Sequence, residues 1–346
     1  MKSPSLILTI PLGLVLLLVI LAALLPAIAS LDGVRPLVLR EINRHLPGQV
    51  QVENWSLGWL GGMRFRGVVY DSRPDDLNVR VAEIGTDKGF LGLALSGGNL
   101  GPVRVLEPVA VFGISGRPEP AAPRPEGGPG ASRKGTVPGL FARVSVTGGS
   151  ILTHDGAGTR TVVRDLDLDL DASGLDRPLT YRFSALSGDK QGRASGEGKL
   201  LPDAADPLNA RKIQWEAKVS VQDWEIREGA ALLASRAGIP SASGRLSTEA
   251  EVTGSLAGTL QVSGRLSIPD LQMRGGPLGP DTPAVRDLAL DLEGSGSGGA
   301  FEIRDLTFRS SLAKGSASGV LDGEGRRLSV KADVDLAEVF AQLPAT

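Results

Sequence analysis

The chain of 346 residues carries 37 Lys+Arg against 39 Asp+Glu, a net charge of −2, and no cysteine. That balance gives no basic footprint for nucleic acid, and the missing cysteines exclude disulfide stapling and thiolate zinc sites. With 46 glycines, 23 prolines and only 4% aromatic residues, the composition suits short strands and many turns rather than a helical bundle.

Leu6 to Ala29 are 24 consecutive positions without a charge. At about 1.5 Å per residue a helix over this run spans roughly 36 Å, enough for the hydrocarbon core of a bilayer. Residues 1–30 are therefore expected to form a transmembrane anchor, with Leu6, Leu12, Leu16, Ile20 and Leu24 in the membrane. Pro11 and Pro26 fall near its ends, where a missing N–H costs least. Ala27-Ile28-Ala29 also fits a secretory cleavage site, but the apolar core of a signal peptide usually runs about 7–15 residues. An uncleaved anchor is preferred, and on either reading the bulk of the chain is exported. Lys2 on one side, against Arg35, Arg40 and Arg44 on the other, gives little help with orientation. The N-terminal position of the run places the body outside the cytoplasm.

Residues 31–115 read as a helix followed by the first hairpins. Ser30 can cap a helix that runs through Leu46 and ends at Pro47-Gly48. Leu31, Val34, Val38, Ile42 and Leu46 give it an apolar stripe. Val50–Leu57 and Trp59–Val68 then form a predicted hairpin turning at Gly61-Gly62. Further strands are expected over Val79–Ile84 and Val103–Ile114. Gly116 to Gly139 holds six prolines and six glycines in 24 residues and reads as a flexible loop or linker.

Residues 140–346 show a clean period of two. Ile213, Trp215, Ala217, Val219 and Val221 alternate with polar residues, as do Leu260, Val262, Leu266 and Ile268, and Leu328, Val330, Ala332, Val334 and Leu336. Each stripe gives a sheet one apolar and one polar face. The segment also repeats. Val163-Arg164-Asp165-Leu166 through Asp171 matches Val285-Arg286-Asp287-Leu288 through Glu293, with a shorter echo at Ile303-Arg304-Asp305-Leu306. In each copy the apolar phase slips by one at Arg-Asp, which predicts a β-bulge there. Val219–Asp223 with Ala230–Ala234 echoes Ala332–Phe340 as a strand leading into a short helix. Such modules grow by stacking. The array stops at Thr346 where another strand group is due, which suits a fragment of a longer protein or a short member of its kind.

Nothing in the chain converges on catalysis. His45 and His154 sit in unrelated contexts, and no Gly-x-Ser-x-Gly elbow, P-loop or His-Glu-x-x-His occurs. Asp165, Asp167, Asp169 and Asp171 fail as a calcium loop. Counting from Asp167, Ala172 and Pro178 stand where glycine and glutamate are required. Gly294–Gly299 precedes another strand and reads as a hairpin turn, not a phosphate cradle. No catalytic residue, metal ligand, cofactor or small-molecule substrate is expected.

What remains is the apolar face, which must be hidden. The sheet either closes on itself as a sandwich or curls into an open trough able to hold acyl chains. In the trough the lining is expected at Leu166, Leu168, Leu170, Trp215, Val219, Leu288, Leu290, Leu292, Val330 and Val334. A reading from another class is an envelope assembly or scaffold protein. It would bind other proteins by strand addition at a free sheet edge, or through the Pro/Gly-rich loop, without lipid cargo.

Three stretches resemble the AsmA-like family of TamB/YhdP type. They are the anchor, helix and hairpin with Trp55-Ser56-Leu57-Gly58-Trp59-Leu60-Gly61-Gly62-Met63-Arg64-Phe65-Arg66-Gly67-Val68 as its core; Ser243–Leu246 through Gly254–Leu266; and the recurring Arg-Asp-Leu strand. The resemblance implies an all-β fold with one N-terminal transmembrane helix in the inner membrane. The body would be an elongated, repeated, curled antiparallel sheet in the periplasm, an open taco-like groove with short capping helices. It further implies phospholipid as partner, a role in phospholipid transport or outer-membrane biogenesis, and contacts with outer-membrane or periplasmic envelope proteins. Members that bridge the envelope are far longer than this chain.

Overall fold

The computed structural model describes residues 35–341, apart from 47, 73–75, 98, 114–140, 156–157, 175–176, 190, 204–211, 227–240, 256–257, 275–283, 298–299 and 323–324. The charge-free run Leu6–Ala29, the Pro/Gly-rich stretch Gly116–Gly139 and the apolar segment Ala230–Ala234 lie outside the described residues. Among the described residues no helix is long and apolar enough to cross a membrane.

The body is a single 17-stranded sheet. Helix α1 (Arg35–His45) precedes β1 (Gln49–Ser56), β2 (Arg64–Ser72) and β3 (Leu77–Thr86). A short helix α2 (Phe90–Leu95) leads to β4 (Asn99–Leu106) and β5 (Val109–Gly113). Beyond the Pro/Gly-rich stretch come β6 (Phe141–Asp155), β7 (Gly158–Ala172), β8 (Leu179–Ser187), β9 (Arg193–Leu201) and β10 (Gln214–Glu225). The sheet continues through β11 (Ser241–Ser243), β12 (Arg245–Ser255), β13 (Thr259–Arg274), β14 (Ala284–Ser297), β15 (Ala300–Arg309), β16 (Ala313–Asp322) and β17 (Gly325–Val334). Helix α3 (Leu336–Ala341) follows, the strand-to-helix step that Ala332–Phe340 predicts. Val, Ile, Leu and aromatic residues at alternate positions with Gly and Pro between runs drive this succession of strands.

Nearly every strand pairs antiparallel with the next, and the exception is informative. β4 and β5 lie end to end as one ladder position against β3, and both pair parallel with β6. Parallel neighbours need a crossover connection. Residues 114–140 supply it, returning the chain from Gly113, beside His154, to Phe141, beside Asn99. The stretch that reads as a flexible loop or linker is thus also a topological requirement. β11 and β12 likewise share one position beside β13. The seventeen strands therefore fill fifteen ladder positions, which at about 4.8 Å each give a sheet roughly 67 Å across.

Two register shifts fall where the sequence slips, at the first and third Arg-Asp, and the second Arg-Asp shows a positive φ without a shift. Asp165 and Asp287 both have positive φ, at 47° and 51°. The β7–β8 register shifts between Arg164 and Asp167, and the β15–β16 register shifts between Ile303 and Leu306, across the third Arg-Asp. Aspartate tolerates the left-handed region better than the branched residues around it. Gly148, at φ 68°, answers the Asp165 bulge from β6, and its N–H donates to Asp167 Oδ1 at 3.0 Å.

Candidate functional site

Register and alternation assign every side chain to one of two faces. Leu166, Leu168 and Leu170 share the face of Val146 and Val144 on β6 and of Phe183 and Tyr181 on β8. Carried across β9, that face includes Gly196, Gly198 and Leu200, then Trp215, Ala217 and Val219. It continues through Val252 and Ala250 to Val262, Gly264 and Leu266, and on to Leu288, Leu290 and Leu292. Leu306 and Phe308, Ala317 and Gly315, and finally Leu328, Val330, Ala332 and Val334 complete it. All ten positions expected from the sequence therefore lie on one continuous face of one sheet.

That face is not the core of a closed sandwich. The first eight of the ten positions are half-buried, and Val330 and Val334 on β17 are 60% and 47% exposed. Large apolar residues buried in the ordinary sense are few among the described residues, such as Trp55, Met63 and Ile268. Nor does the sheet close into a barrel, since β1 pairs only with β2 and β17 only with β16 among the described residues. At the β1 end, α1 packs against Trp55, which Arg35 covers with its guanidinium 5.9 Å from the ring centroid. Asn43 fastens the same helix to Val50, accepting from its N–H at 2.7 Å and donating to its C=O at 3.0 Å.

The apolar face is paved by a device that the aliphatic stripes do not reveal. Phe183 lies over Gly196 and Tyr181 over Gly198, their cross-strand partners on β9. A Cβ at Gly196 would stand 2.5 Å from the Phe183 ring, and one at Gly198 2.7 Å from the Tyr181 hydroxyl. Phe301 covers Gly294, and Phe308 covers Gly315, each with 2.7 Å to a hypothetical Cβ. The rings thus lie down across the sheet, as in aromatic rescue of strand glycines. The signal was present in the sequence as Tyr-x-Phe on one strand opposite Gly-x-Gly on the next. Trp215 adds one polar feature: its indole Nε1 is buried and has no hydrogen-bond partner among the described residues.

The other face carries a ladder of opposed charges. Arg143–Asp171, Arg182–Glu197, Lys199–Glu216 and Arg265–Asp291 are directly opposite in register and paired at 2.7, 3.0, 3.5 and 2.6 Å. The carboxylates Asp167, Asp169 and Asp171 belong here, as the alternation with leucine predicts, and Asp169 accepts from Ser145 at 2.8 Å. The Ser173 hydroxyl and the Arg143 guanidinium hold Asp171 below its ordinary pKa. Hollows of about 720 and 670 Å³ on this face are lined largely by these pairs and by Arg66–Glu83 and Arg104–Asp87. They are gaps between long side chains that already satisfy one another, and their lining shows no nucleophile beside a base. His154 sits on β6, its Nδ1 2.9 Å from the Thr159 hydroxyl across the hairpin. His45 ends α1, far from it in sequence.

One tight polar knot ties the β8–β9 hairpin to β12. Ser187, 1% exposed, donates to Asp189 and accepts from the Gly192 N–H at 2.8 Å. Asp189 also accepts from Gln191 N–H and pairs with Arg245 at 3.2 Å. The Ser187 hydroxyl chiefly, with the Gln191 N–H and Arg245, holds the Asp189 carboxyl below its ordinary value despite partial burial.

No protein-family model matches the chain, and no curated protein matches it.

Proposed function

We propose that this chain is an inner-membrane-anchored periplasmic protein that holds lipid acyl chains on its apolar sheet face, contributing to phospholipid transport or outer-membrane biogenesis. The observation that carries this reading is the face itself. One unbroken apolar surface runs from Val50 and Trp55 through Leu168, Trp215 and Leu290 to Val330, across fifteen ladder positions; Trp55 is buried beneath α1, Leu168, Trp215 and Leu290 are half-buried, and Val330 is exposed. A face of that size left to water is costly, and each methylene laid on it gains about 0.8 kcal/mol. The charge ladder on the opposite face suits a solvated outer wall. The charge-free run Leu6–Ala29 supplies the anchor.

A second reading has its own observation. Among the described residues β17 has no outer neighbour, and Leu328, Val330 and Val334 stand exposed along it, so an envelope protein adding a strand at that edge would make the chain a scaffold.

Mass spectrometry of organic extracts from the body, Leu31 to Thr346, purified without detergent, separates the two. Stoichiometric phospholipid supports the acyl-binding face. A folded, lipid-free body gives the lead to the scaffold.

A further inference from the structure

Helix α1 uses only part of its circumference on the sheet. Arg35, over Trp55, and Asn43, bonded to Val50, face β1. Beside that side runs a second stripe, Val38, Ile42 and Leu46, at four-residue spacing. These side chains are 39%, 42% and 40% exposed, and no other described element covers them. Away from the stripe stand Arg40, which has no ion-pair partner among the described residues, and Arg44, paired with Glu41 at 2.8 Å. Residues 35–46 carry Arg35, Arg40 and Arg44 against a single acid, Glu41. An apolar flank with an arginine-rich flank is the pattern of a helix lying in the boundary between headgroups and acyl chains.

Sequence distance says which surface is available. Five residues separate Ala29, the end of the charge-free run, from Arg35, and at about 3.6 Å each they reach no more than roughly 20 Å. We infer that α1 rests on the outer surface of the bilayer that holds the anchor, with Val38, Ile42 and Leu46 in its headgroup–acyl boundary and Arg40 and Arg44 toward anionic headgroups. The inference rests on reading Leu6–Ala29 as the anchor. It deepens the proposed function by fixing where lipid enters. α1 is fastened to the β1 end of the apolar face, so seating α1 on the bilayer brings that end of the face to the membrane. A lipid then reaches the face without crossing open water.

The absence of cysteine makes the test direct, since one introduced cysteine is the only label site. The full chain carrying Ile42→Cys, Leu16→Cys, Val219→Cys or Ser329→Cys is labelled with an environment-sensitive fluorophore. Each is reconstituted in vesicles of phosphatidylcholine and phosphatidylglycerol, with a nitroxide placed near the headgroup or in mid-chain. The expected result is a blue-shifted Ile42 probe quenched more by the shallow nitroxide than by the deep one. Leu16 should show the reverse order, and Ser329, on the charged face of β17, no quenching. An Ile42 probe that behaves like Ser329 while Leu16 is deeply quenched overturns the inference and leaves the anchor standing. An Ile42 probe quenched equally at both depths, as at Val219, means lipid held on the sheet rather than the bilayer surface, and also overturns it. A Leu16 probe in water overturns anchor and inference together.

Discussion

Leu290 stands on β14, the fourth ladder position from the β17 edge of the apolar face, with Leu266 opposite it on β13 and Phe308 opposite it on β15. Its neighbour Asp291 points the other way, into the pair with Arg265. Replacing Leu290 with glutamate perturbs one face alone. Because Leu290 is only half-buried, the folding cost should stay near 1–2 kcal/mol, well below that of a core leucine. Binding suffers more. An acyl chain crossing this point loses its leucine contact and must displace water from a carboxylate, a penalty of several kcal/mol. At about 1.4 kcal/mol per factor of ten, affinity for a fluorescent acyl probe should fall roughly 10²- to 10³-fold. Asp169→Asn is the matched control, since asparagine keeps the acceptor for Ser145 and surface changes of this kind stay within about 0.5 kcal/mol. Urea melts confirm folding, and probe titration reads affinity. Equal effects of the two substitutions on binding, with both variants folded, refute the assignment of the apolar face.

Other perturbations reach other parts of the account. Gly196→Ala should cost about 1–3 kcal/mol, because its Cβ meets the Phe183 ring at 2.5 Å and the Lys218 carbonyl at 2.9 Å; a double-mutant cycle with Phe183→Ala should recover the part of that loss due to the ring, and additivity would contradict the packing. Trp215→Phe removes a buried donor without a partner among the described residues, so stability in denaturant should hold or rise by about 1 kcal/mol; a fall of similar size would show that Nε1 is satisfied. The folded-state pKa of Asp189 lies below 3.8, so its contribution is intact above that value and is lost as pH falls through the folded pKa; Ser187→Ala should flatten the acid limb of a stability–pH curve, and an unchanged limb would contradict the knot. Deleting 116–139 leaves three residues, with a reach of about 14 Å, to span the 14-residue offset between Gly113 and Phe141, roughly 45 Å. That deletion should expose β1–β5 to proteolysis, whereas a Gly/Ser segment of equal length should not.

Much of the body was legible because strand alternation is local. The Ile213–Val221, Leu260–Ile268 and Leu328–Val334 stripes each fix a strand and its facing, and the one-residue slip marks the register shifts at Asp165 and Asp305 and the positive φ of Asp287, where the register itself does not shift. The helix over Arg35–His45 followed from its apolar stripe, the expected cap Ser30 lying outside the described residues, and the hairpin between Val50 and Val68 followed from its glycines, although β2 starts at Arg64, later than the alternation suggested. Parallel pairing of β4 and β5 with β6 was not legible, because it depends on where a long crossover returns and no local pattern encodes that. Nor was the sharing of ladder positions, which shortens the sheet from the roughly 77 Å that seventeen separate positions would give. α2 was missed because Phe90–Leu95 is six apolar residues without periodicity. The aromatic rings over Gly196, Gly198, Gly294 and Gly315 are cross-strand relations, visible only once register is known.

The central claim is that one face holds lipid and the other faces water, and adjacent residues test it inside the cell. A photo-crosslinking side chain placed at Leu290, and separately at Asp291, differs by one residue and by the whole thickness of the sheet. The account requires phospholipid adducts at Leu290, and at Leu168, with none above background at Asp291 or Asp169. Adducts at both faces, or protein adducts at Leu290 with no lipid, would contradict it.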